Sequence, residues 1–176
     1  KAFRLEIRAM KKAMKDYGLD NIKVMIPFCR TIEEAKKVLR IIKDEGLKTE
    51  IYVMAEIPSN IILAKDFAKL FDGFSIGSND LTQLTLGIDR DNEKLAKEFD
   101  ERNEAVKILI RELIRKAHKY GKKVGICGDA PSTHKDYLKY LIECGIDSVS
   151  VTPDVAIETK LRAARIEKRL KSKVMN

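Results

Sequence analysis

The amino-acid sequence predicts an α/β fold with a parallel sheet, and two observations carry that prediction. Short runs of apolar and β-branched residues recur along the chain, and each is followed by a longer segment with helical periodicity. Glycines stand where the helices must end and the next strands begin. Strict alternation of this kind favours parallel strands joined by right-handed crossovers. Residues 1–176 have the size of one ordinary domain.

The first half of the chain contains three of the expected strands. Its first helix has apolar residues spaced three and four apart and ends at Gly18. Its second helix opens with a capping box, because Thr31 precedes Glu34 by three residues. Ser59 is the expected N-cap of the third helix. In order, we expect a helix over 3–16, a strand over 22–28, a helix over 31–45, a strand over 51–57, a helix over 59–71 and a strand over 73–77.

The second half repeats the pattern after a polar segment over 89–98. Gly121 stops a long helix, Ser132 is the expected N-cap of the next one, and Pro153 opens the last. In order, we expect a helix over 101–120, a strand over 123–127, a helix over 132–144, a strand over 145–152 and a terminal helix.

Two architectures fit this alternation. A doubly wound sheet of five strands suits the length of the chain. A (β/α)₈ TIM barrel needs about 200–250 residues, so that five βα units would be an incomplete barrel. The sequence has no GxGxxG or GxxxxGK motif, which removes the usual phosphate-loop support for the doubly wound sheet. Periodicity by itself leaves both architectures open.

Composition narrows the classes of function. The net charge of +8 raises nucleic acid as a partner, but the basic residues recur at helical spacing among acidic ones, and the chain has no Trp to stack bases. The longest apolar runs are far shorter than a membrane span. We therefore expect neither nucleic acid nor a membrane as a partner. Heavy use of Lys, Glu, Arg and Ile is typical of a thermophile's ion-pair-rich surface.

The three cysteines do not form a structural framework. They are odd in number and lack CxxC spacing, which favours a reducing cytoplasm over disulfides or zinc. Cys29 and Cys144 are expected to be small buried apolar residues. Cys127 differs because it lies between Gly125 and Gly128, where little bulk shields its sulfur. A thiol near a cation or a helix N-terminus has a lowered pKa and can move protons near neutral pH.

Two acidic residues join Cys127 at the ends of predicted strands. Glu56 ends the second strand, and Asp80 follows the third. Active sites of α/β proteins are assembled at this edge of the sheet, so we expect the three side chains to meet there. Mg²⁺ takes one or two carboxylates together with waters and substrate oxygens, which makes the pair a candidate magnesium site. The alternatives are a salt bridge for Glu56 and an ordinary helix cap for Asp80.

An anion could bind beside these carboxylates. Gly77, Ser78 and Asn79 form the turn from strand to helix, where small residues expose backbone N–H groups. Arg90 has the fork geometry that clamps a carboxylate or phosphate. An Arg between Asp89 and Asp91 is equally suited to plain ion pairing.

Several segments together resemble the C-terminal barrel domain of the phosphoenolpyruvate-utilising enzymes, over nearly the whole chain and in the family's order. Within that family the likeness is greatest to the phosphoenolpyruvate synthases rather than to the dikinase or to enzyme I of the sugar phosphotransferase system. The segments are Val24-Met-Ile-Pro-Phe28, Glu56-Ile-Pro-Ser-Asn60, Gly73 to Gln83, Asp89-Arg90, Phe99-Asp-Glu-Arg-Asn103, Gly125-Ile-Cys-Gly128 and Ala130-Pro-Ser132.

The resemblance implies a (β/α)₈ TIM barrel of the phosphoenolpyruvate/pyruvate-binding type, with residues 1–176 as its C-terminal portion of about five βα units. It implies that Glu56 and Asp80 ligate Mg²⁺ and contact the substrate, and that Cys127 moves the proton at the substrate's methyl or methylene carbon. The remaining implied substrate contacts are Gly77, Ser78, Asn79 and Arg90.

The resemblance also implies partners and a reaction. Pyruvate or phosphoenolpyruvate would be the substrate, and the full-length enzyme would convert ATP, pyruvate and water to AMP, phosphoenolpyruvate and phosphate. A phosphohistidine domain and an ATP-grasp domain would supply the phosphoryl group, and a homo-oligomer is expected. The chain alone is expected to be inactive. The alternatives are a pyruvate- or phosphoenolpyruvate-binding module without catalysis and the equivalent domain of a pyruvate phosphate dikinase.

Overall fold

Five parallel strands form one sheet, and their order across the sheet is their order along the chain. The computed structural model describes residues 1–174. A doubly wound sheet reverses its strand order at a switch point, whereas a barrel places each new strand beside the preceding one. The sequential order therefore favours the barrel architecture. The strands are β1 (Val24–Ile26), β2 (Ile51–Ala55), β3 (Gly73–Gly77), β4 (Lys123–Cys127) and β5 (Ser148–Val149).

Helices follow each strand and cover one face of the sheet. The long helix α6 packs on β3 and β4, and α3 packs on β2. The helices are α1 (Ala2–Tyr17), α2 (Ile32–Asp44), α3 (Pro58–Ile62), α4 (Ala64–Ala68), α5 (Ser78–Leu86), α6 (Glu104–Lys119), α7 (Ala130–Thr133), α8 (Lys135–Glu143) and α9 (Ala156–Val174).

The two faces of the sheet differ in chemistry. Val53, Phe74 and Val124 stand side by side in register on the helix-covered face, and all three are fully buried. The opposite face carries Ser75 and Cys127 and borders a cleft of about 440 Å³. Because side chains alternate along a strand, this second face corresponds to the interior of a barrel.

Two predicted helix starts are wrong, because the serines have partners distant in sequence. Ser59 lies inside α3, which starts with Pro58 at its first turn, and the Ser59 hydroxyl donates to the carbonyl of Arg30 at 3.1 Å. Ser132 lies inside the short α7, and its Oγ accepts a hydrogen bond from the Thr152 N–H at 3.0 Å. The segments predicted as helices over 59–71 and 132–144 are consequently each divided into two short helices.

Other boundaries shift for local reasons. The strand predicted over 22–28 is only three residues long, because Pro27 has no N–H and Phe28 turns into the left-handed region at φ 47°. The helix predicted from 101 begins three residues later, where the Asn103 side chain accepts the Ala105 N–H at 2.9 Å. The strand predicted over 145–152 is reduced to β5. The cap at Thr31 is confirmed.

Candidate active site at the carboxyl ends of the strands

Three neighbouring strands deliver the predicted residues to one edge of the sheet. Glu56 directly follows β2, and Cys127 is the last residue of β4. Gly77 ends β3 in register with Cys127, and α5 begins at the next residue, so that Asp80 lies in its first turn. The structure thus brings these residues together, while their roles as ligands and proton carrier stay predictions.

Glu56 is a buried carboxylate with a backbone partner. It is 1% exposed, and its Oε1 accepts a hydrogen bond from the Phe28 N–H at 2.7 Å. Burial raises the pKa of Glu56, the Phe28 N–H opposes that rise, and the nearby Asp80 carboxylate adds to it. Phe28 holds a left-handed φ of 47°, which a bulky residue rarely adopts. Such strain is typical of a functional site.

Gly77 leaves the space that the Glu56 side chain occupies. A Cβ atom built at Gly77 would lie 2.6 Å from Glu56 Oε2 and 2.9 Å from Glu56 Cβ. Non-bonded atoms do not approach that closely, so a larger residue here would displace the carboxylate. A glycine at the end of β3 is therefore required by the position of Glu56, the residue that follows β2.

Asn60 fixes the loop that carries Glu56, and sequence reasoning missed it. Its side chain is fully buried, and its Oδ1 accepts the N–H of Ile57 at 3.1 Å and that of Glu56 at 3.4 Å. Its Nδ2 donates to the carbonyl of Cys29 at 2.8 Å. The loops after β1 and β2 are thus joined by one amide. The available signal was a polar residue three positions after Ile57, where a side chain can satisfy the free N–H groups of a helix start.

Cys127 is half-buried, and its sulfur sits among polar groups. The Ser75 hydroxyl donates to its Sγ at 3.4 Å, and the thiol donates to the Ile76 carbonyl at 3.4 Å. The Cys127 sulfur thus both accepts and donates a hydrogen bond. At the other thiol of this edge, burial raises the pKa of Cys29 to about 11.

The first turn of α5 lies against the Cys127 loop. The buried Ser78 hydroxyl approaches the Cys127 carbonyl at 3.5 Å, and the Thr82 hydroxyl donates to the Ser78 carbonyl at 2.7 Å. A helix N-terminus presents N–H groups without intrahelical partners. The turn therefore offers donors to an anion beside the Asp80 carboxylate.

Arg90 reaches this turn through Asn79, and a further acid stands behind them. With the Asn79 amide oriented to satisfy both ends, its oxygen accepts from Arg90 Nη1 at 3.0 Å and its nitrogen donates to Glu101 Oε1 at 3.1 Å. Glu101 is 8% exposed. Burial raises the pKa of Glu101, the Ser78 hydroxyl lowers it, and the Asp129 carboxylate raises it further. Sequence reasoning placed Glu101 at the start of a predicted helix and within the segment Phe99–Asn103, but gave it no role in the site.

The two histidines stand apart from the three strand-end groups. His118 Nε2 lies 2.9 Å from Asp147 Oδ2, at the edge where the strands begin. His134 separates α7 from α8, and it is close enough for its charge to act on the pKa of Glu101.

The donor set suits a hard cation. Within residues 1–174 no group of three or more His, Cys, Asp or Glu side chains is placed to hold a metal ion. Mg²⁺ needs only one or two carboxylates, the rest of its shell being water and substrate oxygen. The Asp80 carboxylate raises the pKa of Glu56 by charge repulsion, and a cation between the two side chains would relieve that repulsion. The two residues therefore fit the predicted magnesium site.

Known proteins similar to this chain indicate its family. A phosphoenolpyruvate synthase of Aquifex aeolicus is 55% identical over 174 residues, which is 96% of this chain and 20% of that protein. One of Escherichia coli is 50% identical over 171 residues, 94% of this chain and 22% of that protein. The chain spans about a fifth of the length of the curated relatives it matches. In the part of the chain that the structure covers, no helix is long and apolar enough to cross a membrane.

The family profile described as "PEP-utilising enzyme, PEP-binding domain" matches residues 1–168. The match includes β1 to β5 and every residue of the strand-end site. The chain therefore belongs to the family of phosphoenolpyruvate-utilising enzymes, as part of their phosphoenolpyruvate-binding domain.

Proposed function

We propose that this chain is the pyruvate- and phosphoenolpyruvate-binding part of a phosphoenolpyruvate synthase, and that it carries the proton-transfer step. The observation that carries the proposal is the meeting of two repelling carboxylates, Glu56 and Asp80, with the thiol of Cys127 at one edge of the sheet. The relatives reported above are both named phosphoenolpyruvate synthase, which favours that reaction over the dikinase reaction.

The carboxylates would hold Mg²⁺, with the substrate's oxygens completing its shell. When bound, Mg²⁺ supplies positive charge that stabilises negative charge developing on the substrate's carbonyl oxygen. Asn60 and Gly77 keep Glu56 in place for this, one by fixing its loop and the other by leaving it room. The N–H groups at the start of α5 and the Arg90 guanidinium would bind the substrate's anionic groups.

Cys127 would move the proton between its sulfur and the substrate's terminal carbon. Towards phosphoenolpyruvate, the thiolate takes a proton from the methyl group of pyruvate, and the C–H electron pair passes into the new carbon–carbon double bond. In the reverse direction the thiol returns that proton. The Ser75 hydroxyl, which donates to Sγ at 3.4 Å, would hold the sulfur in place for this transfer.

The phosphoryl group would come from elsewhere in a larger protein. We propose a phosphohistidine domain and an ATP-grasp domain as partners, since the chain corresponds to about a fifth of each relative's length. We also propose a homo-oligomer. β1 and β5 are edge strands, and Met25 on β1 is 45% exposed, so apolar surface remains to be covered.

Binding of Mn²⁺ or Mg²⁺ with oxalate, a planar mimic of enolpyruvate, tests the proposal in the full-length protein. Glu56→Gln and Asp80→Asn should each weaken metal binding at least tenfold, because each removes one of two carboxylate ligands. The matched controls are Glu104→Gln and Asp66→Asn, whose carboxylates are exposed and paired with surface cations. Calorimetry or manganese relaxation measures the affinity. Unchanged metal binding in both site variants would contradict the metal assignment. Metal and oxalate binding without turnover of pyruvate would indicate a non-catalytic binding module instead.

A further inference from the structure

Glu101 is a buried acid outside the set of strand-end residues. It follows Asp100 in the loop between the single turn at Ala96–Glu98 and helix α6. Its Oε1 accepts from the Asn79 amide at 3.1 Å, and it lies 3.1 Å from the position that a Cβ at Gly128 would occupy. Glu101 thus contacts both loops of the candidate site, the turn that starts α5 and the turn after Cys127.

The Glu101 carboxylate also bonds to the Ser78 hydroxyl and to the Ala130 N–H, which belong to the same two loops, and both bonds lower its pKa. Helix α6 is capped by Asn103, whose side chain accepts the Ala105 N–H at 2.9 Å. The loop itself is fixed by Asp100, which accepts from the Arg102 backbone at 2.8 Å and from its guanidinium at 3.0 and 3.2 Å. A carboxylate that is buried beside the acid Asp129 costs free energy. Its hydrogen-bond partners thus lie in the two loops of the candidate site, whereas its own loop is held by Asp100 and Asn103.

The Asn79 amide has two possible orientations. In one, its Nδ2 donates to Asp129 Oδ2 at 3.4 Å and the bonds to Glu101 and Arg90 are absent. An ionised carboxylate can only accept, so Glu101 favours the other orientation, in which the NH₂ group is turned towards it. The oxygen of the same amide then faces Arg90 Nη1, which can only donate. Arg90 itself is exposed, and its backbone N–H bonds to Gln83 Oε1 at 3.3 Å. The side-chain orientation of Arg90 is therefore set through Asn79 by Glu101.

We propose that Glu101 is a positioning residue that orients Arg90 for the substrate's anionic group, acting through the amide of Asn79. The proposal rests on the proposed function, because it takes Arg90 to be a substrate contact. Glu101 does not touch the substrate in this arrangement. Its effect is on the affinity for the anion, and the pair Glu56 and Asp80 does not depend on it.

The test uses Glu101→Gln in the full-length protein. A glutamine of the same shape can donate as well as accept, so the Asn79 amide loses its fixed direction. We expect oxalate affinity at saturating Mn²⁺ to fall about tenfold, the effect of losing one hydrogen bond to a charged group. The KM for pyruvate should rise to the same extent, and metal affinity without oxalate should stay unchanged. Glu104→Gln is the matched control on the exposed side of the same segment.

A double-mutant cycle with Arg90→Ala separates positioning from general structural damage. If Glu101 acts through Arg90, adding Glu101→Gln to Arg90→Ala leaves oxalate affinity unchanged. A second tenfold loss in that background overturns the proposal. Should Glu101→Gln fail to fold, Glu101→Asp supplies the same cycle, since its shorter side chain cannot reach Asn79.

The outcomes also distinguish this inference from the proposed function. If Arg90→Ala weakens oxalate binding and Glu101→Gln does not, the positioning role is wrong while the anion site stands. If Arg90→Ala itself has no effect, the assignment of Arg90 as a substrate contact is wrong, and the inference fails with it.

Discussion

The acids at the two ends of the sheet are in opposite electrostatic environments. Where the strands begin, Lys23 pairs with Glu50 just before β2 and holds the pKa of that carboxyl below its ordinary value. Burial acts against Asp147 before β5, yet His118 and the Val124 N–H keep its pKa low. Where the strands end, burial raises the pKa of Glu56.

The difference separates stability from function. An acid paired with a cation lowers the free energy of the folded state, whereas a buried acid beside another carboxylate raises it. In barrels, the end where strands begin contributes stability, and the end where they finish carries the chemistry. Carboxylates that destabilise the fold at the end where the strands finish therefore indicate the candidate site.

The largest effect should come from Cys127. In the full-length enzyme, Cys127→Ser should slow the exchange of pyruvate's methyl protons with solvent about 100-fold or more, because a serine hydroxyl is a far weaker acid than a thiol. The exchange is measured by proton NMR in deuterated water. Affinity for Mn²⁺ should survive, since Cys127 is not a predicted ligand.

Cys144→Ser is the control for this experiment, as Cys144 follows α8 outside the strand-end site. It should leave proton exchange unchanged. Wild-type exchange rates in Cys127→Ser would show that Cys127 does not move the proton.

A smaller effect is expected from Gly77→Ala. The added methyl would lie 2.6 Å from Glu56 Oε2, so the carboxylate must move and metal affinity should fall roughly tenfold. Titration with Mn²⁺ measures this. The control is Gly121→Ala, where φ is 66° and no atom lies within 4 Å of the new methyl. That variant should lose some stability from its left-handed backbone but keep its metal affinity.

The smallest effects should be two stability shifts of opposite sign. Arg8 and then Arg4 lower the pKa of Glu45, at the end of α2, from 4.5 to about 2. Its stabilising effect is complete above pH 4.5 and is lost as the pH falls towards 2, so Glu45→Gln should lower the melting temperature at neutral pH by about 2 °C.

Glu56→Gln should act the other way. The pKa of Glu56 in the folded state is raised above 4.5, so its ionised carboxylate destabilises the metal-free fold. This destabilisation is absent below pH 4.5 and develops as the pH rises through the folded-state pKa. We expect the variant to melt about 2 °C higher than the wild type at neutral pH without metal. Thermal unfolding by circular dichroism across pH 3–8 checks both variants. A wild-type protein that melts at a higher temperature than Glu56→Gln would contradict the contrast between the two ends of the sheet.

The sequence was sufficient for the existence and order of the five strands and for the bounds of two of them. β3 and β4 have the predicted bounds, and the alternation of strand and helix is confirmed. Such features depend on local periodicity and on glycines, which are visible in the chain. The position of Glu56 at a strand end could be predicted for the same reason.

What the sequence did not reveal depends on partners distant along the chain. Ser59 and Ser132 have the composition of helix caps, but each bonds to a backbone group at least 20 positions away. Asn60 and Glu101 are polar residues whose burial follows only from packing. The Asn60 side chain bonds to Cys29, which lies 31 positions earlier in the chain. The Glu101 carboxylate bonds to Asn79, which its loop reaches by folding back towards the start of α5.

The hydrogen bond from the Phe28 amide to Glu56 has a spectroscopic consequence. The nitrogen and proton of that single peptide group sense the charge on the carboxylate directly, at 2.7 Å. A change in the ionisation of Glu56, or a cation drawing electron density from it, alters the shielding of this one nucleus pair without any movement of the backbone. The Phe28 amide therefore reports the charge state of Glu56 through one cross-peak in a nitrogen–proton correlation spectrum.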